Sequence, residues 1–334
     1  MKKAEFYNKL DNKKVQCLLC PHQCIIQENS RGICKVRKNF DGELFSENFG
    51  KICSVAFDPI EKKPLYHYFP GKIIFSVGNI GCNLNCQFCQ NWQISQSSID
   101  DYQYLKNISS DEIVSQAKRK NNIGIAYTYN EPIVWFEFML EIAKQAQEKE
   151  LKNVMVTNGF INPKPLDKLL PHIDAFSVDL KAFTNDFYKK YTFSEIEVVK
   201  KSIKKIHQSH KHLEITNLVI TDLNDNKENF VEMVKWISGE TDRDTVLHIS
   251  RYYPTYKLKK PPTSVNTLIE FHEIAKQYLD YVYLGNVNLD SGNDTICSNC
   301  GKTLIKRKGY YVKVIALDKK GCCDNCGNRV VKVL

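Results

Sequence analysis

Twelve of the thirteen cysteines in this 334-residue chain fall into three groups, and their spacing constrains the architecture more than any other feature. The first group is Cys17-x2-Cys20-x3-Cys24-x9-Cys34, and the second is Cys82-x3-Cys86-x2-Cys89. The third holds Cys297-x2-Cys300 and Cys323-x2-Cys326, with Cys322 beside them. Cys53 stands alone and reads as a buried small hydrophobe. The N-terminus "MKKAEFYNKLDNKKVQ" has no apolar run behind its lysines, and no later segment has about 18 consecutive apolar residues, so a cytoplasmic protein without a membrane span is expected. Thiols are kept reduced there, so grouped cysteines read as metal sites rather than disulfides. A closed zinc site and a protein-held four-iron cluster each take four ligands. The middle group has three, which leaves a coordination place for an exogenous ligand.

Between residues 72 and 290 short β-branched apolar runs alternate with helical periodicity. Strands are expected at 72–77, 123–129, 153–157, 174–180, 212–220, 245–250 and 281–285. Helices are expected at 110–120, 132–149, 195–209, 226–238 and 264–278, with Ser110 and Ser264 as N-caps and Pro132 in a first turn. This alternation predicts an α/β fold with a parallel sheet, built as a partial TIM-type (β/α)6 barrel with its chemistry at the C-terminal strand ends. The expected units are a Cys-rich N-terminal extension over 1–71, the barrel over 72–290 and a zinc-ribbon-like module over 291–334. "DPIEKKPLYHYFPG" (58–71), with three prolines, reads as an extended segment across the barrel mouth, where His67 and Tyr68 read mainly as packing residues.

The spacing of Cys82, Cys86 and Cys89, with Phe88 before the last, resembles the signature of radical S-adenosylmethionine (SAM) enzymes. The resemblance implies a 4Fe-4S cluster whose open iron binds the amino and carboxylate groups of SAM. Such a cofactor needs an acceptor for its ammonium, polar partners for its ribose and a cation near its carboxylate. Polar residues stand at successive strand ends for these roles: Asn130 and Glu131 in "TYNEP", Thr157 and Asn158 in "VTNGF", Asp179 and Lys181 in "SVDLKAF", and Arg251 in "SRYYP". The set resembles the glycyl-radical activase branch, in which the lysine contacts the SAM carboxylate. That branch has an aspartate where this chain has Val156, so the resemblance carries no cation site there. Glu214, Thr216 and Asn217 are weaker candidates, and His248 reads as an inward residue with a satisfied hydrogen bond.

Nearly end to end, through "CLLCPHQC", "GCNLNCQFCQNWQIS", "TYNEP", "TNGF" and "SRYYP", the chain resembles the AmmeMemoRadiSam system radical SAM enzymes, related to pyruvate formate-lyase activating enzyme. The resemblance implies association with Memo-like and AMMECR-like proteins and an electron donor such as flavodoxin or ferredoxin. The expected function is reductive cleavage of SAM to a 5′-deoxyadenosyl radical that abstracts hydrogen from an unidentified substrate. Alternatives are a glycyl-radical-type activator of a partner protein and a non-enzymatic metal-binding adaptor.

The outer groups complete the set. Cys17, Cys20, Cys24 and Cys34 suit zinc or an auxiliary iron-sulfur cluster, and His22 among them reads as a surface residue. Cys297, Cys300, Cys323 and Cys326 have zinc-ribbon spacing, with Gly301 and Gly327 after the pairs for the knuckle turn and Cys322 as an alternative to Cys323. The formal charge of +9 counts every cysteine as neutral. Thiolates held in metal sites lower it to roughly +4, which gives little support to a nucleic-acid partner.

Overall fold

The apolar runs in the middle of the chain pair into one eight-stranded sheet. The computed structural model describes residues 1–119, 121–289 and 292–331. Strand β1 (Ser54–Pro59) lies antiparallel to β2 (Ile73–Gly78). Beyond β2 follow β3 (Asn122–Tyr127), β4 (Lys152–Thr157), β5 (Ala175–Asp179), β6 (His212–Val219), β7 (Val246–Arg251) and β8 (Val282–Gly285), all parallel and in chain order. Among the described residues β1 and β8 do not pair, so the sheet is open. Parallel neighbours need crossovers, and these are α1 (Ser110–Ala117), α2 (Phe136–Glu148), α3 (Pro163–Leu169), α4 (Ile196–Gln208), α5 (Lys227–Glu240) and α6 (Val265–Lys276). Each helix turns one stripe inward: α4 buries Ile196, Val199, Ile203 and Ile206, at helical spacing. The central strands are buried on both faces, which is why they read as continuous apolar runs.

The seven expected strands are all present, with ends shifted by at most two residues. The first helix is capped by Ser109 rather than Ser110, because Ser109 and Glu112 close a reciprocal capping box while the Ser110 hydroxyl bonds Glu141. Ser264 caps α6 through the Thr267 amide at 3.0 Å. Pro132 opens a 3-10 turn, Pro132–Trp135, before α2 begins. Among the described strands of the main sheet and its crossover helices, two fell outside the expectation: the short, two-proline α3, and β1, which brings a strand from the N-terminal stretch into the sheet. The expected end of the first helix at 120 and the expected unit boundary at 290 and 291 lie outside the described residues. Among the described residues, no helix is long and apolar enough to cross a membrane.

The N-terminal stretch shares the sheet's core through Val15, Leu19, Val36, Leu44 and Ile52. At the other end, Thr295–Ile296, Thr303–Lys308 and Tyr311–Val314 form a three-stranded antiparallel sheet. Its buried Leu304, Ile305 and Val331 pack against Tyr66, Val246, Tyr281 and Tyr283. Arg307 stacks on the Tyr66 ring at 4.5 Å and donates to the Tyr66 carbonyl at 2.8 Å.

Segment 58–71 does not simply cross a mouth. Lys62, Lys63 and Pro64 line the cleft described below, whereas Tyr66 and His67 are tied to Glu214 near the start of β6. Glu214 is fully buried and accepts from the amides of Tyr66 (2.9 Å) and His67 (2.8 Å), from His212 Nε2 (2.9 Å) and from His248 Nε2 (2.7 Å). His67 bonds the Tyr283 hydroxyl at 2.6 Å and the Val330 carbonyl at 3.0 Å, so it joins the C-terminal unit to the sheet. Burial alone would push the Glu214 carboxyl up, but hydrogen bonds from His212 and His248 hold it well below the usual value.

Replacing the knot's acceptor leaves four buried donors without a partner, so Glu214→Ala is expected to destabilise the fold by about 3–5 kcal/mol in urea unfolding. A depressed carboxyl contributes stability above its unfolded value of 4.5 and loses it as pH falls through the lower folded value. The stability gap between parent and variant therefore narrows below about pH 4.5. A gap that stays constant from pH 7 to pH 3 contradicts an ionised Glu214.

Candidate functional site

The loop after β2, "GCNLNCQFCQ" at 81–90, crosses the C-terminal ends of the strands. Backbone constraint begins at Gly81, whose φ of 86° lies in the left-handed region and where a Cβ would come within 2.6 Å of the Cys34 carbonyl oxygen. Side-chain amides then hold the loop. Asn130, from the loop after β3, donates to the Gly81 carbonyl at 2.8 Å and accepts from the Asn79 amide at 3.1 Å. Asn83 donates to the Phe160 carbonyl at 2.7 Å and accepts from Asn158 Nδ2 at 2.9 Å. Two loops following adjacent strands therefore clamp the cysteine loop.

Cys82, Cys86 and Cys89 all line one large cleft. Burial pushes the Cys86 thiol up to about 12 and the Cys82 thiol well above the usual value, the Glu131 carboxylate adding to the effect at Cys82. Without a metal these groups are neutral thiols, and a metal that binds there must displace their protons. Three such ligands facing open space fit an iron-sulfur cluster with one iron left for an exogenous ligand.

The other strand ends supply polar walls. Glu131 accepts from Thr157 Oγ1 at 2.7 Å and Ile133 N at 3.3 Å on Oε1, and from Asn158 N at 2.8 Å on Oε2. A carboxylate has about four acceptor sites, so Oε2 retains room for one more donor. Burial raises the Glu131 carboxyl to about 7, against the pull of those donors. On β5 the Lys181 ammonium bonds Asp179 Oδ2 at 2.9 Å. Burial opposes the Lys181 charge, yet Asp179 and Cys86 beside it hold its pKa above the ordinary lysine value. Thr216 on β6 lines the same cleft with a buried hydroxyl that has no protein partner.

The structure brings Asn130, Glu131, Thr157, Asn158, Asp179 and Lys181 together around the three cysteines. Asn130 spends its amide on the loop, and Asn158 spends its own on Asn83 and on the Phe160 amide, so both act as supports for neighbouring groups. Arg251 is not among the lining residues. Its guanidinium bonds the Thr263 carbonyl at 2.8 Å and the Tyr253 hydroxyl at 3.1 Å. Asn217 donates to the Leu180 carbonyl, and Tyr252 is buried against Leu258.

The C-terminal cysteines form a second, compact set. The sulfurs of Cys297, Cys300, Cys323 and Cys326 lie within 4.8 Å of one another, and the pairs 297–326 and 300–323 are each 3.6 Å apart. Cys322 is not in this set. Among the described residues this is the one group of three or more candidate ligands so tightly drawn. Cys17, Cys20, Cys24 and Cys34 instead line a separate, small pocket. His22 is not a free surface residue: its Nε2 bonds the Asn83 carbonyl at 2.7 Å, which joins this pocket to the cysteine loop.

Comparison with known proteins agrees with this arrangement. Residues 78–237 match the family model described as the Radical SAM superfamily. An uncharacterized protein of Methanocaldococcus jannaschii is 43% identical over 337 residues, covering 100% of both chains. The pyruvate formate-lyase-activating enzyme of Clostridium pasteurianum is 22% identical over 168 residues, covering 48% of this chain and 67% of its own. A crystal structure of a radical SAM methyltransferase from Sphaerobacter thermophilus superposes with a TM-score of 0.52 at 17% identity, over 65% of this chain and 67% of that one, a likeness of fold.

Several residues of the site gave no sequence signal. Asp58 on β1 accepts from the buried Lys63 ammonium and from the Tyr129 hydroxyl, both at 2.7 Å, and so braces from behind two residues that line the cleft. Asn79 and Asn83 flank the first cysteine, but nothing in their spacing shows which carbonyl each amide reaches. Because Asn130 pairs two otherwise orphaned backbone groups, Asn130→Ala should cost about 2–4 kcal/mol in urea unfolding, while Asn130→Asp, which keeps the acceptor for Asn79, should cost less. Equal and negligible losses in the two variants contradict the clamp.

Proposed function

Because the chain belongs to the radical SAM superfamily and is an enzyme, we propose that it binds a 4Fe-4S cluster and SAM in this cleft and abstracts hydrogen from a substrate held at its mouth. The observation that carries the reading is the convergence of Cys82, Cys86 and Cys89 with Glu131, Asp179, Lys181 and Thr216 on one cleft. When bound, the cluster and SAM supply one-electron reductive cleavage to a 5′-deoxyadenosyl radical. The protein's own groups do the binding and positioning. In this reading Cys82, Cys86 and Cys89 ligate iron. The free acceptor site on Glu131 Oε2 would accept an N–H of the SAM amino group, and Thr157 and Asn158 fix that carboxylate's orientation from the other side. Lys181 offers its ammonium to the SAM carboxylate, with Asp179 keeping it charged and aimed. The unpartnered Thr216 hydroxyl offers a hydrogen bond to the sugar or to the substrate. Arg251 is left to brace the loop after β7.

The open strand order supports a partial TIM-type barrel, with the expected units over 1–71, 72–290 and 291–334 around it. The 3.6 Å sulfur pairs of the C-terminal set support zinc, since four thiolates at about 2.3 Å from one ion stand roughly 3.8 Å apart. Grouped free thiols support a cytoplasmic location. Enzymes of this superfamily use a reductant, and a flavodoxin- or ferredoxin-type donor fits here. The resemblance to the AmmeMemoRadiSam system supports Memo-like and AMMECR-like partners. A second reading, activation of a partner protein by hydrogen abstraction from a glycine, is supported by the activating-enzyme relatives.

Cys82→Ala, Cys86→Ala and Cys89→Ala are each expected to abolish 5′-deoxyadenosine formation from SAM and dithionite under anaerobic conditions, and unchanged formation in any one overturns the ligand assignment. Glu131→Gln should weaken SAM binding roughly ten- to a hundredfold with the cluster intact, since a charge-assisted bond is worth about 1.5–3 kcal/mol. Ionised Glu131 is the strong acceptor for the SAM amino N–H, and burial sets its carboxyl near 7. SAM affinity of the parent should therefore fall by about tenfold per pH unit below 7 and level off above it, while Glu131→Gln stays flat. Titration followed by electron paramagnetic resonance of the reduced cluster reads both effects, and a parent profile as flat as the variant's contradicts the role of Glu131.

A further inference from the structure

We propose that Cys17, Cys20, Cys24 and Cys34 hold a second four-iron, four-sulfur cluster, distinct from the one in the cleft. The four side chains come from one N-terminal stretch and line a single pocket whose remaining walls include Leu19, Ile26, Ile133 and Val134. An apolar pocket enclosing four thiols is an unfavourable place for charge unless a metal and a counter-charge are both present.

The counter-charge is Arg37. It lines the same pocket, is 1% exposed, and donates from Nη2 to both carboxylate oxygens of Glu137 at 2.8 and 2.7 Å. Its Nε and Nη1 have no partner. Leaving two guanidinium donors buried and unpaired costs several kcal/mol, so their natural acceptor is an anion in the pocket. Thiolate and bridging sulfide of a metal cluster supply such acceptors, and hydrogen bonds of this kind to cluster sulfurs tune potential.

Sulfur spacing decides between metals. A single zinc ion draws four thiolates to roughly 3.8 Å from one another. The C-terminal set of this chain reaches that spacing, but among the described residues the N-terminal set is not so drawn together. A cube of iron and sulfide occupies the centre of its site and keeps the thiolates farther apart. The pocket also abuts the cleft loop: Asn83, next to Cys82, lines it, and His22 bonds the Asn83 carbonyl at 2.7 Å. The second cluster thus lies directly behind the first.

This inference does not depend on the function of the cleft, and one set of full-length variants separates the two. The parent, reconstituted anaerobically with iron and sulfide, should carry about eight irons per chain. The triple variant Cys82→Ala, Cys86→Ala, Cys89→Ala should keep about four irons and four sulfides, with one zinc at the C-terminal set. Adding Cys20→Ser and Cys24→Ser should remove that remaining iron, with the C-terminal zinc retained as the sign that the chain still folds. Arg37→Gln in the triple variant, with every cysteine present, should shift the remaining cluster's reduction potential to more negative values because a positive charge beside it is lost. A triple variant with no iron and two zinc ions per chain overturns the inference in favour of zinc. Iron that survives the Cys20 and Cys24 replacements overturns it as adventitious binding, and an unmoved potential removes Arg37 from the site. Failure of the cleft reading looks different: parent and triple variant would then hold the same iron.

Discussion

The loop that carries Cys82, Cys86 and Cys89 is tied by side-chain amides to the ends of two neighbouring strands, and the rest of the cleft depends on that tie. Asn130 and Asn158 reach it from the ends of β3 and β4, and each sits next to a bond made by Glu131. The carboxylate that faces the cleft and the loop that bears the thiols are therefore parts of one hydrogen-bonded unit. A shift in the loop moves the acceptor with it. This coupling suits a reaction in which a ligand must touch a metal with one end and a carboxylate with the other, because the two contacts keep a fixed separation.

The parallel sheet makes such a unit possible. Crossover helices cover its faces and leave the loops at one end free to carry polar groups, while the opposite end can be closed by structure alone. Here closure uses Glu214, which gathers two backbone amides and two histidines under the sheet, and His67 passes the connection on to the C-terminal unit. Lys62 and Lys63 belong to the same covalent segment but stand in the cleft wall, so this one stretch joins the closed end of the sheet to the open one. Through His67 the C-terminal unit is thus bonded to the same segment that supplies part of the cleft wall.

Much of this was legible in the sequence because the signals were local. Strand and helix periodicity located β2 to β8, and the cysteine spacings separated three groups of thiols that the fold keeps apart. The strand-end set of Glu131, Thr157, Asp179 and Lys181 could be read because parallel topology sends every strand end to one rim. What escaped depended on contacts between distant positions. Nothing in "SVAFDP" shows that it becomes an antiparallel edge strand, or that Asp58 bonds Tyr129 behind the cleft wall. Arg251 follows the strand-end pattern, yet Thr263 and Tyr253 draw its guanidinium away, a competition visible only in the folded chain. Ser109 displaced Ser110 as a cap because Glu112 is three residues after it. The roles of His22 and Arg37 were hidden for the same reason: their partners, Asn83 and Glu137, lie 61 and 100 residues away.

In the proposed reading, SAM is held by the unique iron of a cluster on Cys82, Cys86 and Cys89 through its amino and carboxylate groups, while the amino N–H faces Glu131. Electron-nuclear double resonance of the reduced protein with SAM labelled by 15N at the amino group and 17O at the carboxylate tests it most directly. The account predicts hyperfine coupling of the cluster spin to both labels, present in the parent and lost with the cluster ligands. A reduced cluster on these cysteines that binds SAM yet shows coupling to neither label would contradict it.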